Sequence, residues 1–159
     1  AIAELFDGSS WTEVGDLNTE RAYMAGFGTT TAGVVVGGFS PPSPTALAVT
    51  ELYNGTSWTE VGDLNTGRYK VGAVGISTSG LAFSGDTGVP LEQSVVTEAY
   101  DGTSWTEVAD LSATRSDGSM AGTSTSALAA TGRQVSKDTL GAATEEWNFA
   151  ASVETVAFD

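Results

Sequence analysis

No stretch of the chain carries the three-to-four-residue apolar spacing of a helix. Short apolar or β-branched runs recur instead between glycine-, serine- and threonine-rich breaks, the pattern of strands and turns. The clearest run is Glu51-Leu52-Tyr53-Asn54-Gly55-Thr56-Ser57-Trp58-Thr59-Glu60-Val61-Gly62-Asp63-Leu64. It is written again 47 residues earlier, from Glu4 to Leu17, and 47 residues later, from Glu98 to Leu111. A worn fourth copy opens at Glu145-Glu146-Trp147-Asn148. Within each intact copy an Asn-Gly or Asp-Gly pair (Asp7-Gly8, Asn54-Gly55, Asp101-Gly102) stands between strand-forming residues. That pair predicts a type I′ hairpin turn with positive φ at both central residues, joining an incoming strand at about Ala48–Tyr53 to an outgoing one at about Ser57–Val61.

Past each hairpin comes a polar link, with Arg21, Arg68 and Arg115 in register. The next segments (Ala22 to Gly28, Tyr69 to Gly75, Ser116 to Gly122) are read as strands whose small residues suit a crowded, buried centre. Ser/Thr turns follow, and then apolar strands at Val34-Val35-Val36, Leu81-Ala82-Phe83 and Leu128-Ala129-Ala130. Beyond the glycines that close these strands the copies diverge. Phe39-Ser40-Pro41-Pro42-Ser43-Pro44, Asp86-Thr87-Gly88-Val89-Pro90-Leu91 and Arg133-Gln134-Val135-Ser136-Lys137-Asp138 share length and nothing else. Four strands per repeat make one antiparallel sheet per repeat, and a sheet with two apolar faces must stack on a neighbour.

An apolar strand ending in Gly37-Gly38, a variable loop, the Tyr53-Asn54 pair, Trp58 five residues on and a link reaching Arg68 resemble the kelch motif, whose period is near that seen here. The resemblance covers nearly the whole chain. It implies an all-β fold, a β-propeller of four-stranded antiparallel blades, about three and a half in this chain: a half-blade at 1–19 and blades at 20–66, 67–113 and 114–159. The sequence departs from the motif in keeping the double glycine only once and in placing Phe149 and Ser152 where the last copy should have Gly and Trp. A WD40 reading fails for want of His and of the Trp-Asp pair, and the adjacency of Asp7-Gly8 and Asp101-Gly102 departs from the spacing of a sialidase Asp-box. The chain enters mid-repeat at Ala1, as a processed product or a piece of a longer chain would, and the worn copy at Glu145 reads as the chain's end. An arc of this size leaves apolar faces bare unless neighbouring chains, further residues or another subunit complete it.

Composition narrows the chemistry. Six Lys plus Arg against twenty Asp plus Glu give a formal charge of −14, which sets aside nucleic acid and anionic membrane surfaces as partners. No apolar run approaches the length of a membrane helix, and no charged-then-apolar leader opens the chain. With no His and no Cys, the usual general base, nucleophile and transition-metal ligands are missing, and the kelch-like galactose oxidase chemistry cannot be assembled. No cofactor or metal is expected, since the carboxylates form no clustered calcium loop. Asn54-Gly55-Thr56 fits a glycosylation sequon, but the turn already accounts for its Asn-Gly.

Alternating strand direction puts the Asp-Gly and Ser/Thr turns at one end and the variable loops with the arginine links at the other. The candidate binding residues are therefore Phe39, Ser40, Asp86, Thr87, Arg133 and Gln134 on the loops, with Arg21, Arg68 and Arg115 beside them. The arginines either pair with Glu13, Glu60 and Glu107 or Asp16, Asp63 and Asp110, or ring a channel mouth that holds an anion. The repeated aromatics, Trp11, Trp58 and Trp105 with Phe6, Tyr53 and Tyr100, read as packing between blades. The expected function is a non-enzymatic module that binds a protein or glycan and suits an extracellular or virion-surface adhesin. The alternative is a structural subunit whose arc is completed in a homo-oligomer, fibre or virion.

Overall fold

The structure, a computed structural model, describes residues 2–42, 45–88, 92–134, 139–140, 143–148 and 154–156. Among these every regular element is a β-strand. Strands β1 (Ala3–Phe6) and β2 (Trp11–Val14) pair as a two-stranded sheet, sheet I. Next come β3 (Ala25–Thr29) and β4 (Ala32–Val36), a small hairpin of β5 (Phe39–Ser40) and β6 (Thr45–Ala46), then β7 (Thr50–Tyr53) and β8 (Trp58–Glu60). Sheet II has the order β3-β4-β7-β8. Sheet III joins β9 (Gly72–Ile76), β10 (Ser79–Phe83), β11 (Thr97–Tyr100) and β12 (Trp105–Glu107) in the same consecutive order. Sheet IV joins β13 (Ser119–Gly122), β14 (Ser126–Ala130), β17 (Thr144–Asn148) and β18 (Glu154–Val156), with the small hairpin of β15 (Arg133–Gln134) and β16 (Thr139–Leu140) between its second and third strands.

The sheets are antiparallel meanders, and two apolar clusters hold them face to face. Val34 and Val36 of β4 meet Ala82, Tyr100 and Trp105 of sheet III, with Leu64 and Val71 from the link, while Val74, Leu81 and Phe83 meet Ala127 and Ala129 of sheet IV. Each fully buried aliphatic or aromatic side chain stabilises by about 1.5–3 kcal/mol. At the seam between sheets II and III, the Phe27 ring lies against Gly80 and edge-on to Trp105, centroids 6.4 Å apart. The Trp105 indole N–H donates to Thr50 Oγ1 across the same seam (3.0 Å). Of the repeated tryptophans only Trp105, 5% exposed, is packed between sheets among the described residues; Trp58 is half-buried and Trp11 is 66% exposed.

Several local expectations change. Tyr53 pairs with Trp58, so four residues form the hairpin loop, not two. Asn54 Oδ1 accepts from the amides of Thr56 and Ser57 (2.9 and 3.0 Å), and positive φ falls on Gly55 alone of the pair. The side-chain carbonyl of Asn, or the carboxylate of Asp7 and Asp101, closes the loop itself and displaces the type I′ geometry. The first strand of each sheet begins three residues later than the composition suggests. It is buried at Gly72 and Val74 in sheet III, but Gly26 and Gly28 of β3 and most of β13 are exposed, because only the middle sheet is covered on both faces. Phe149 and Ser152 lie outside the described residues.

The arginine links also pair differently. The Arg68 guanidinium donates to Glu98 Oε1 (2.7 Å) and to the carbonyls of Ser84 and Val96 (2.8 and 2.6 Å), entirely buried. Arg21 pairs in the same way with Glu51, and Arg115 with Glu145. The opening glutamate of the second, third and fourth copies, not the carboxylates of the outgoing strand or link, takes the arginine. That glutamate also caps the link: Asn18 and Asn65 each give Glu51 or Glu98 a backbone and a side-chain N–H. Asp63 and Asp110 instead accept from the amides of Thr50 and Thr97. Burial pulls the Arg21 and Arg68 guanidiniums below their ordinary value, against the opposing charges of Glu51 and Glu98. Burial acts to raise Glu51, but the hydrogen bonds from Asn18 and Thr19 and the charge of Arg21 outweigh it and hold the carboxyl below its ordinary range.

Candidate functional site

The variable loops and the arginine links lie together at one end. Gly38 and Gly85 donate their amides to the Arg68 and Arg115 carbonyls (2.9 and 3.1 Å). The loops, unlike in residue type, share one backbone scheme. Phe39, Asp86 and Arg133 each exchange two backbone hydrogen bonds with the residue following the link arginine, Ala22, Tyr69 and Ser116 respectively. Each of the three also pairs with the returning arm of its own loop, at Ala46, Gln93 and Leu140. A frame of N–H and C=O groups therefore holds three unlike side chains at equivalent places.

Next in chain are Tyr23, Lys70 and Asp117, all with φ near +55°. Left-handed backbone in residues with a Cβ costs on the order of 1–3 kcal/mol and persists only where surroundings impose it. Here the Lys70 amide donates to the Tyr23 carbonyl (2.8 Å) and the Asp117 amide to the Lys70 carbonyl (3.3 Å), so the three residues are strung side by side.

Their side chains converge with the loop residues. Lys70 Nζ stands 3.3 Å from Asp117 Oδ2, 3.6 Å from Asp86 Oδ2 and 5.8 Å from the ring centroids of both Tyr23 and Tyr69. Tyr23, Phe39 and Tyr69 form a trio of tilted or edge-on rings with centroids 5.7–6.5 Å apart. The Asp86 side chain is 1% exposed, and neither carboxylate oxygen has a hydrogen-bond partner among the described residues. Burial acts to lower Lys70, but the charges of Asp117 and Asp86 outweigh it and raise its pKa; Tyr69 is raised by burial and by Asp86. Both groups therefore keep their protons at neutral pH. Beside them Gln93 Nε2 donates to Ser116 Oγ (2.9 Å) and to the Arg133 carbonyl (2.6 Å).

No family model matches this chain, and no curated protein does. Its site must be read from its own geometry. Of the residues singled out by sequence, Phe39 and Asp86 join this cluster, and Arg133 contributes its backbone with its side chain exposed. Ser40, Thr87 and Gln134 are half-buried, Thr87 being held to the Glu92 carbonyl (3.1 Å). Arg21, Arg68 and Arg115 lie beneath, enclosed by their own ion pairs. The loop residues at 43–44, 89–91 and 135–138 lie outside the described residues. Among the described residues no three acidic side chains gather as metal ligands. Sequence reading missed Tyr23, Tyr69, Lys70 and Asp117. The available signal was that positions 23, 70 and 117 change from Tyr to Lys to Asp just past arginines that do not change.

Proposed function

We propose that this chain is a non-enzymatic binding module, built as a kelch-like arc of β-propeller blades, that takes a saccharide at its loop end. The consecutive four-stranded meanders, the matching seams and the side-by-side starts of β3, β9 and β13 support the blade reading. One observation carries the site: a buried Asp86 carboxylate without hydrogen-bond partners among the described residues stands beside Lys70, whose ammonium lies 5.8 Å from the ring centroids of Tyr23 and Tyr69. A buried carboxylate gains most from donors that a ligand brings, and sugar hydroxyls are such donors. The rings offer stacking surface for the apolar face of a pyranose, and the formal charge of −14 favours neutral or cationic sugars over acidic ones.

The test is a glycan array followed by calorimetry on the best ligand. Asp86→Asn and Tyr23→Ala should each weaken binding about tenfold or more, the size expected for a central contact, while circular dichroism is unchanged. Binding that persists undiminished in both variants, and after exchange of residues 39–44, 86–91 and 133–138, removes this end of the molecule as the site.

A further inference from the structure

Sheet I presents the outer half of a repeat, and the repeat itself says what its inner half should contact. Strand β7 pairs on one side with β8 and on the other with β4, through Val34–Leu52, Val35–Glu51 and Val36–Thr50. Its counterpart β1 pairs only with β2, so Ala3, Glu4 and Leu5 present an open strand edge among the described residues. Beside this edge, between sheets I and II, lies a cleft of about 380 Å³ lined by Leu5, Phe6, Trp11, Gly33, Tyr53 and Trp58.

The cleft is the same socket that Phe27 occupies one repeat later. A Cβ built on Gly80 would stand 2.5 Å from the Phe27 ring. Built on Gly33, the equivalent residue, it meets nothing nearer than the Thr29 carbonyl oxygen at 3.4 Å and Tyr53 Cβ at 3.7 Å. One polar group is likewise unanswered. Glu51, Glu98 and Glu145 are buried on their arginines, whereas Glu4 is exposed and has no ion-pair partner among the described residues.

From this we infer that the cleft between sheets I and II is a docking site for a β-hairpin built like β3–β4. Its second strand adds antiparallel to the free edge of β1, its first strand inserts an aromatic ring over Gly33 and against Trp58, and an arginine ahead of it reaches Glu4. Backbone pairing to the edge supplies affinity and the ring and cation supply selectivity, as in other strand-addition complexes.

The probe is a synthetic peptide of residues 20–38 of this chain, which carries Arg21 and Phe27, added to the intact chain. Calorimetry should show one-to-one binding with a change in tryptophan fluorescence. Phe27→Ala in the peptide should weaken binding about tenfold or more, as loss of a central anchor does. Arg21→Ala should weaken it about threefold or more against the native chain and not against Glu4→Gln, because the cation then has no carboxylate to meet. Gly33→Leu in the chain fills the socket and should abolish binding while leaving the melting temperature near that of the parent. Three results would overturn the proposal: no peptide binding, binding indifferent to both Phe27→Ala and Gly33→Leu, or a solution mass showing that copies of the chain occupy the cleft themselves and exclude the peptide.

Discussion

The seam between sheets II and III and the seam between sheets I and II are built from the same repeat, yet one is closed and the other open. At the first, Phe27 seals the space over Gly80, Trp105 is buried and bonded to Thr50, and Glu51 holds Arg21. At the second, Gly33 faces a cleft, Trp58 lacks an acceptor among the described residues and Glu4 faces solvent. The outer strands are present in both cases, and β1–β2 keeps its hairpin and its Phe6–Trp11 ring pair at 5.1 Å. Each repeat thus forms its outer hairpin from local contacts, whereas the glutamate and the glycine acquire their structural value only when an inner hairpin arrives. The seam between sheets III and IV shows how the socket is tuned. There Val74 and Ala127 occupy the places of Phe27 and Gly80, a smaller projection matched to a larger floor.

The largest difference should appear at the repeated glutamate. Glu98→Ala strands a buried guanidinium and uncaps the Asn65 link, and removal of one partner of a buried pair costs about 3–5 kcal/mol. Glu4→Ala removes an exposed carboxylate with no ion-pair partner among the described residues and should change stability by less than about 0.5 kcal/mol. Urea melts of the two variants measure both, and equal losses would mean that the glutamate acts through something other than its arginine.

Acid should expose the same contrast less severely. Glu51 titrates below its ordinary value of 4.5 in the folded chain, so its contribution is complete above that value and is lost as pH falls through the lower folded one. Asp7, held at about 2 by the amides of Ser10 and Ser9, titrates from its ordinary 3.8 downward and extends the loss to lower pH. The melting temperature should therefore be flat from pH 7 to about 5 and fall between about 4.5 and 2. A Glu51→Gln chain, less stable throughout, should lose the upper part of that fall. A decline already complete by pH 5 would show that other groups govern acid stability.

The repeat, the all-β class, the antiparallel meander and the end at which the loops gather were all legible, because each is written in local chemistry repeated at one spacing. The hairpin was legible as a hairpin but not in its geometry. Asn54 and Gly55 satisfy a two-residue turn on paper, and only the hydrogen bonds of the Asn54 side chain to two amides select the longer loop. The partner of Arg68 was not legible because Glu98 lies 30 residues away and is brought there by sheet order, while Glu60 and Asp63 are nearer in sequence. The site was half legible. Phe39 and Asp86 stood out by divergence, but the backbone frame that holds them consists of N–H and C=O groups, which every residue carries. The left-handed turn that aims Tyr23, Lys70 and Asp117 has no residue signature when none of the three is Gly or Asn.

The contrast between the two seams rests on Phe27 being what denies Gly80 a side chain, and a double-mutant cycle measures that directly. Gly80→Val alone should cost about 1–3 kcal/mol by overpacking. In a Phe27→Ala background, itself destabilised, Gly80→Val should cost at least about 1 kcal/mol less, since contacting residues couple by about 0.5–3 kcal/mol. Gly33→Val should show little cost and no coupling to Phe27→Ala. Additive effects of Gly80→Val and Phe27→Ala, or a cost for Gly33→Val equal to that for Gly80→Val, would contradict the empty socket and with it the difference between the two seams.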